Sequence, residues 1–486
     1  MFIGVWSLYI DLLSYAIDYA SSCGASYAEA RYHLRNITGI VIRGSKVIGV
    51  SFRKEEGIGI RVLYKGVLTF TSTNELSRER VREAIDFSIA SAKALENIAR
   101  GRGLSTEVNL GKASYEALAS KPFDSKPMDV KIAELKDLWT TANNAVKESK
   151  LSSFAIIYNE SEEVKEILTS DGAWIRSKIP RISIAINFVL LHPQKGTIQR
   201  ILDFGSSGGL ELINEWKVGE ELENEVRAIE NVLLRGVPPP KEPIDIVVGS
   251  EVVGLLVHES AGHPMEADRI WGREAAQAGE SYVKPEMVKR ERIGNEHATV
   301  IDDPTIPRSN GFYLYDDEGV PARPRYIYLN GIINELLHNR WTAKIFGISS
   351  NGAARAMNYA SEPIPRMSNT YLTPGDMSFE ELIEDINYGI YIKSYMEWNI
   401  DDIRWGQRYV GLEAYTIRKG ELAEPVRNPV LELTTRAFYS SIVAKSKNLK
   451  FYPGMCGKGE PHQGVPVWFG GPEVRLSKMR LGVIHA

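Results

Sequence analysis

Cysteine is almost absent from this chain of 486 residues, with Cys23 and Cys456 as its two thiols. Two thiols so far apart cannot form the disulfide framework of a small secreted module, so both are expected to be reduced, as in a cytoplasmic protein. An excess of positive charge is also missing. The net charge of −4, with 25% charged residues of mixed sign, gives no electrostatic footprint for nucleic acid. Long apolar runs are lacking too. The most apolar stretch, MFIGVWSLYIDLLSYAIDYA, has no Lys or Arg ahead of Arg31 and is interrupted by Asp11 and Asp18. It therefore fits neither a secretion signal nor a membrane span of roughly 20 apolar residues. Leu12, Leu13, Ala16, Ile17 and Ala20 follow helical spacing instead and predict an amphipathic helix. No repeat of fixed period and no low-complexity tract interrupts the chain.

A hydrophobic content of 43% over this length provides a substantial interior, and the length favours two or three domains. The first part, residues 1–115, reads as α+β. Two hairpins are expected to turn at Gly44-Ser45 and Lys65-Gly66. A helix capped by Ser77 follows, with Val81, Ile85, Ile89, Ala92, Leu95 and Ile98 as one apolar stripe. Residues 116–236 open with a helix around DVKIAELKDLWTTANNAVKES. They continue as a β-meander whose Asp171-Gly172 pair is a strong turn signal, and close with a helix ending near Arg235. The prolines of GVPPPKEP mark residues 237–243 as a linker. Residues 244–486 read as a mainly antiparallel β domain, with hairpin signals at Asn330-Gly331 and across Arg418 to Glu421. A capping box joins Ser378 to Glu381, and a helix is expected from about Thr434 to Lys445.

That last unit holds the most chemically suggestive segment, HESAGHPMEADRI, directly behind the apolar EVVGLLV. In zinc proteases of the HExxH type the two histidines lie four apart on one helical face. Here His258 and His263 are five apart, about 140° out of phase at roughly 100° per residue, so a shared metal requires the helix to open by one residue. Gly262 and Pro264 are the expected means. Glu259 adjoins the first histidine, where the base of a zinc hydrolase would take a proton from metal-bound water; its plain alternative is an ordinary helix carboxylate. A catalytic zinc needs a third protein ligand and one open position. His33 and His192 lie in the amino-terminal units, and His297, His338 and His485 stand in β-like or terminal contexts where surface or hydrogen-bonded roles are the better expectation. Cys456 lies in FYPGMCGKGEPHQGVPVWFGGP, which reads as a Gly- and Pro-rich loop without secondary structure, and thiolate is a strong zinc ligand. His462 in the same stretch is the second-choice ligand or a substrate contact. CGKGE lacks the spacing and the hydroxyl of a phosphate loop.

HESAGHPMEAD, IDDPTIPRSNGFYLYDDEGVPARP, NGAARA and CGKGEPHQGVPVWFGGP together resemble the TldD half of the TldD/PmbA (TldE) metalloprotease family. YAEARYHLRN, GIGIRVLYKG, FTSTNELSRERVREA and GSSGGLELI extend the likeness over nearly the whole chain. The resemblance implies one Zn2+ per chain held by His258, His263 and Cys456, with Glu259 as base. It also implies unfolded or short peptides as substrates, and a homodimer or a heterodimer with a PmbA/TldE-like subunit. Glu460 and His462 depart from the smaller polar residues of the family pattern. Asp317 in DDEGVP, Arg355 in NGAARA, and His462 are candidate substrate contacts. The competing reading is a non-catalytic peptide-binding subunit with a structural zinc.

Overall fold

Over its first seven residues, strand β1 (Tyr27–Arg43) alternates apolar or aromatic residues with charged ones, and both sets are buried. Ala28, Ala30 and Tyr32 pack beneath helices, whereas Glu29, Arg31 and His33 point to the opposite face of the sheet, toward the carboxy-terminal unit. This two-faced strand organises the amino-terminal half. In the computed structural model, which describes residues 9–99, 103–274 and 279–482, it lies at the centre of a seven-stranded sheet. The first eight residues of the opening apolar stretch and His485 lie outside the described residues.

Helix α1 (Ile10–Ser22) buries Leu12, Leu13, Ala16 and Ala20, as the spacing predicts. After β1 come β2 (Lys46–Tyr64), β3 (Val67–Thr73), α2 (Arg78–Leu95) and β4 (Lys112–Glu116). Then follow α3 (Met128–Ala145), β5 (Lys150–Thr169), β6 (Trp174–His192), β7 (Gly196–Ser207), the short α4 (Glu211–Glu215) and α5 (Val218–Arg235). Sheet order is β3-β2-β1-β5-β6-β4, with β7 also on β6, so strands from both sides of residue 115 share one sheet. Lys65 and Gly66 both take positive φ, 50° and 81°, the geometry of a tight hairpin turn. The apolar stripe on α2 is shorter than expected: Val81, Ile85, Ile89 and Ala92 are buried, but the helix ends at Leu95, and Leu95 and Ile98 are exposed. Helices α1 and α2 cover one end of the sheet and α3 and α5 the other, on the same face.

Residues 238–243 carry neither helix nor strand. Beyond them, β8 (Ile244–Val248) opens a unit that contains, among the described residues, two six-stranded sheets, a three-stranded one and a two-stranded one, mostly antiparallel. The expected helix to Lys445 is a helix only over Thr435–Ser441; Ile442–Lys445 is a strand paired with Val474–Met479. Among the described residues no helix is long and apolar enough to cross a membrane.

Charged residues of the free sheet face tie the two halves together. Arg61 on β2 bridges Glu29 and Glu318 at 2.5 Å each, all three nearly inaccessible. Lys165 on β5 meets Asp317 at 2.9 Å, and Arg31 donates to the carbonyls of Asn358 and Ser361. Removing one member of such a buried set leaves an uncompensated charge, which costs about 3–5 kcal/mol.

Candidate metal centre

Helix α6 (Ser250–Val257) is buried over nearly its whole surface, as EVVGLLV dictates. Gly254 lets it lie against the strand Gln463–Gly471: a Cβ there would stand 2.8 Å from the Gly470 nitrogen. Directly after α6, His258–Gly262 forms a π turn, in which the His263 N–H donates to the His258 carbonyl, five residues back. The opening expected from the histidine spacing is therefore present. Pro264 supplies part of the cause, because it has no N–H to give the Ser260 carbonyl four residues earlier. The hydroxyls of Tyr282 and Tyr328 serve that carbonyl instead, at 3.0 and 3.2 Å. Gly262 has a different role from the one expected. Its backbone is ordinary at φ −64°, but a Cβ would fall 1.8 Å from the Met367 sulfur. Glycine is needed here for close approach, whatever freedom it also lends the turn.

Across the π turn the two imidazoles come within 5.0 Å, centroid to centroid, nearly perpendicular at 82°. Cys456 reaches them from 193 positions further on, its Sγ 3.5 Å from His263 Nε2. It does not come from a loop, as the sequence suggested. Lys450–Lys458 is a strand paired with Gln463–Gly471, and Cys456 faces Val465. The glycines and Pro453 are tolerated because this strand ends its sheet, where a missing donor does not break a ladder. Arg366 fixes the strand from below, donating to the Cys456 carbonyl at 2.5 Å and to the Gln463 carbonyl at 3.1 Å.

One ligand atom from each of His258, His263 and Cys456 lies within 4.8 Å of the others, and all three residues are buried. Tetrahedral zinc at roughly 2.0–2.3 Å from its ligands would separate them by about 3.3–3.8 Å, so the cluster fits with little adjustment. The protonation chemistry agrees. Burial holds both histidines below their ordinary value, which favours the neutral imidazole that binds a metal. Burial alone would raise the Cys456 thiol, but His263 and Arg366 outweigh it and bring it below the ordinary thiol range. His258 Nδ1 is buried without a hydrogen-bond partner, and an ion would satisfy such an orphan. On its far side His263 Nδ1 meets Glu266 Oε2 at 3.1 Å. Burial would raise the Glu266 carboxyl, but Lys458 and His263 hold it well below the usual carboxylate range. A carboxylate behind a ligating imidazole fixes the ring and its tautomer. Sequence reasoning missed Glu266, although its position three residues after His263 was the available signal.

Glu259 follows His258 into the buried interior, and its carboxylate is ion-paired with Arg404. No local pattern in the sequence pointed to Arg404, which arrives from a hairpin 145 positions away. Asp317 and Arg355 lie elsewhere. They line a cavity of about 480 Å³ between the amino-terminal sheet and the Lys450–Gly471 hairpin. Pro453, Met455, Val465 and Pro466 of that hairpin line it as well, whereas His258, His263 and Cys456 do not. Arg355 donates to the carbonyls of Met367 and Pro466, and Asp317 is held by Lys165 and the Ala356 N–H. His462 is exposed at the turn of the hairpin and is not part of the cluster.

Three family models match the chain. PmbA/TldA metallopeptidase domain 1 covers residues 28–92, the central domain covers 121–228, and the C-terminal domain covers 241–483. The chain is 32% identical to a metalloprotease of Methanothermobacter thermautotrophicus, over 94% of this chain and 95% of that protein. It is 27% identical to a zinc metalloprotease TldD homolog of Saccharolobus solfataricus, over 96% and 98% of the two chains. Among solved structures, TldE of Thermococcus kodakarensis superposes with a TM-score of 0.74 at 16% identity, covering 98% of this chain and 99% of that one, so the fold is shared.

Proposed function

Because this chain belongs to the PmbA/TldD metallopeptidase family, we propose that it is a zinc-dependent peptidase hydrolysing peptide bonds in unfolded or short peptides. The observation that carries the reading is the buried set of two imidazoles and one thiol gathered across a π turn. His258, His263 and Cys456 would hold one zinc per chain, leaving the fourth position open. Bound zinc supplies a Lewis acid that polarises a carbonyl and acidifies water. Glu259, next in the chain to a ligand, would accept the proton of the attacking water and deliver it to the departing amine. Asp317, Arg355 and His462 are kept as candidate substrate contacts.

A preference for extended peptides has physical support in the strand Lys450–Lys458, which carries Cys456 and ends its sheet. A peptide can pair with such an edge through main-chain hydrogen bonds with little side-chain selection, and a folded protein cannot present one. A homodimer or a heterodimer with a PmbA/TldE-like subunit belongs to the same proposal, since the chain is a member of the PmbA/TldD family. The first two model matches fall within residues 1–115 and 116–236, and the third, 241–483, begins inside the 237–243 linker and runs through 244–486, which supports reading these as three domains. A cytoplasmic location accords with two separated, unpaired cysteines.

The test combines metal analysis with peptide cleavage. Purified protein is expected to carry close to one zinc per chain. Glu259→Gln should keep the zinc and lose cleavage by about 10²- to 10⁴-fold, whereas Cys456→Ala should lose both. Full activity in the Glu259 variant would overturn the mechanism.

A further inference from the structure

Arg404 sits at the turn between strands Tyr395–Ile400 and Gly406–Gly411 with φ +67°, a left-handed conformation that a non-glycine residue seldom takes. The surrounding turn over-determines it. Asp401 accepts from the Trp405 and Gly406 N–H groups at 2.7 Å each, the Arg404 N–H donates to the Asp401 carbonyl, and Thr435 Oγ1 donates to the Arg404 carbonyl at 3.1 Å. Backbone strain held this firmly marks a place where the direction of one side chain matters. The side chain in question ends on Glu259, and both members of the pair are about nine-tenths inaccessible.

Tyr282 couples the two ends of that contact. Its N–H donates to the carbonyl of Ile403, the residue before Arg404, and its hydroxyl to the carbonyl of Ser260, the residue after Glu259. Its ring also stacks edge-on against Trp405 at 5.1 Å. The turn and the π turn are thus fixed relative to each other by one residue, independently of the ion pair.

We propose that Arg404 is the positioning residue of the candidate base, holding the Glu259 carboxylate in one orientation beside the His258–His263–Cys456 cluster. A glutamate carboxylate, carried on three side-chain torsions, has more than one rotamer in a buried site, and only one of them faces the reacting water. A bonded guanidinium selects that rotamer and balances the buried charge. The inference rests on the reading of Glu259 as base.

Its test is a double-substitution cycle on the zinc-loaded full chain, read with a quenched fluorescent peptide that the wild type cleaves. Arg404→Met should lower kcat about 10- to 100-fold, as a misplaced catalytic group does, with KM and zinc content little changed, and Arg404→Lys should recover part of the loss. In the Glu259→Gln background, Arg404→Met should cost nothing further, because the group it positions is gone. The melting temperature of metal-free protein supplies a second cycle. Each single substitution should lower it, and the double variant, with both buried charges removed, should regain part of the drop. If Arg404→Met retains full kcat while Glu259→Gln is inactive, the inference fails and the proposed mechanism stands. Additive losses in kcat would also overturn it, by making Arg404 a purely structural contact. If Glu259→Gln is itself fully active, the mechanism fails and the inference goes with it.

Discussion

Gly262 shows how one missing methyl group sets the site. The sulfur of Met367 occupies the space a Cβ would need, so Gly262→Ala must push apart the π turn and the segment that carries Arg366. Overpacking of this kind costs about 1–3 kcal/mol, and the displacement falls on the residue next to a proposed ligand. The expected outcome is a lower denaturation midpoint together with weaker zinc retention on dialysis. Met367→Ala in the same chain should restore part of both, and failure of that rescue would count against the steric account. That glycine matters at this position is legible from the five-residue histidine spacing, but the reason legible there is backbone freedom. The contact that makes glycine necessary comes from a residue about a hundred positions away and leaves no local trace.

At the scale of elements, the π turn depends on donors from outside itself. Two tyrosine hydroxyls take over the Ser260 carbonyl that Pro264 cannot serve. Replacing both, in a Tyr282→Phe and Tyr328→Phe double variant, leaves a buried carbonyl unsatisfied. The expected cost is about 1–3 kcal/mol, measurable by urea unfolding, with a larger effect than either single change. What the sequence makes legible divides along the same line between local and distant causes. Hairpin turns at Lys65-Gly66, Asp171-Gly172 and Asn330-Gly331 are legible because positive φ is a property of one or two adjacent residues. The widened turn is legible because five-residue spacing and Pro264 lie within one short stretch. Cys456 reads as part of a loop because Pro453, Gly454 and Gly457 are strand-averse on average, an average that a sheet-ending strand escapes. The partners of Glu259 and of the Cys456 backbone, Arg404 and Arg366, depend wholly on tertiary contacts.

At the scale of the molecule, two inaccessible histidines link stability to acidity. His33 faces the carboxy-terminal unit from β1, and His338 lies within that unit against Phe346. Burial lowers each from 6.5 to about 4. Between these values the unfolded chain takes up protons that the folded chain refuses, so stability should fall as pH drops from about 6.5 to about 4 and level off below. Each group contributes roughly 3 kcal/mol, at about 1.36 kcal/mol for every pH unit that separates the folded and unfolded values. Between pH 7 and pH 4 the wild type should lose about 3 kcal/mol more stability in urea than His338→Gln, which lacks the titrating imidazole; parallel curves would remove His338 from the account.

The distance in sequence between His263 and Cys456 carries a consequence beyond chemistry. An ion shared by these side chains would close a loop of nearly two hundred residues, and shutting so long a loop removes much of the disorder open to the unfolded polypeptide. Metal supply would then govern the lifetime of the chain as well as its turnover: starved of the ion, the molecule would breathe open more often and become prey to the cell's own degradation machinery.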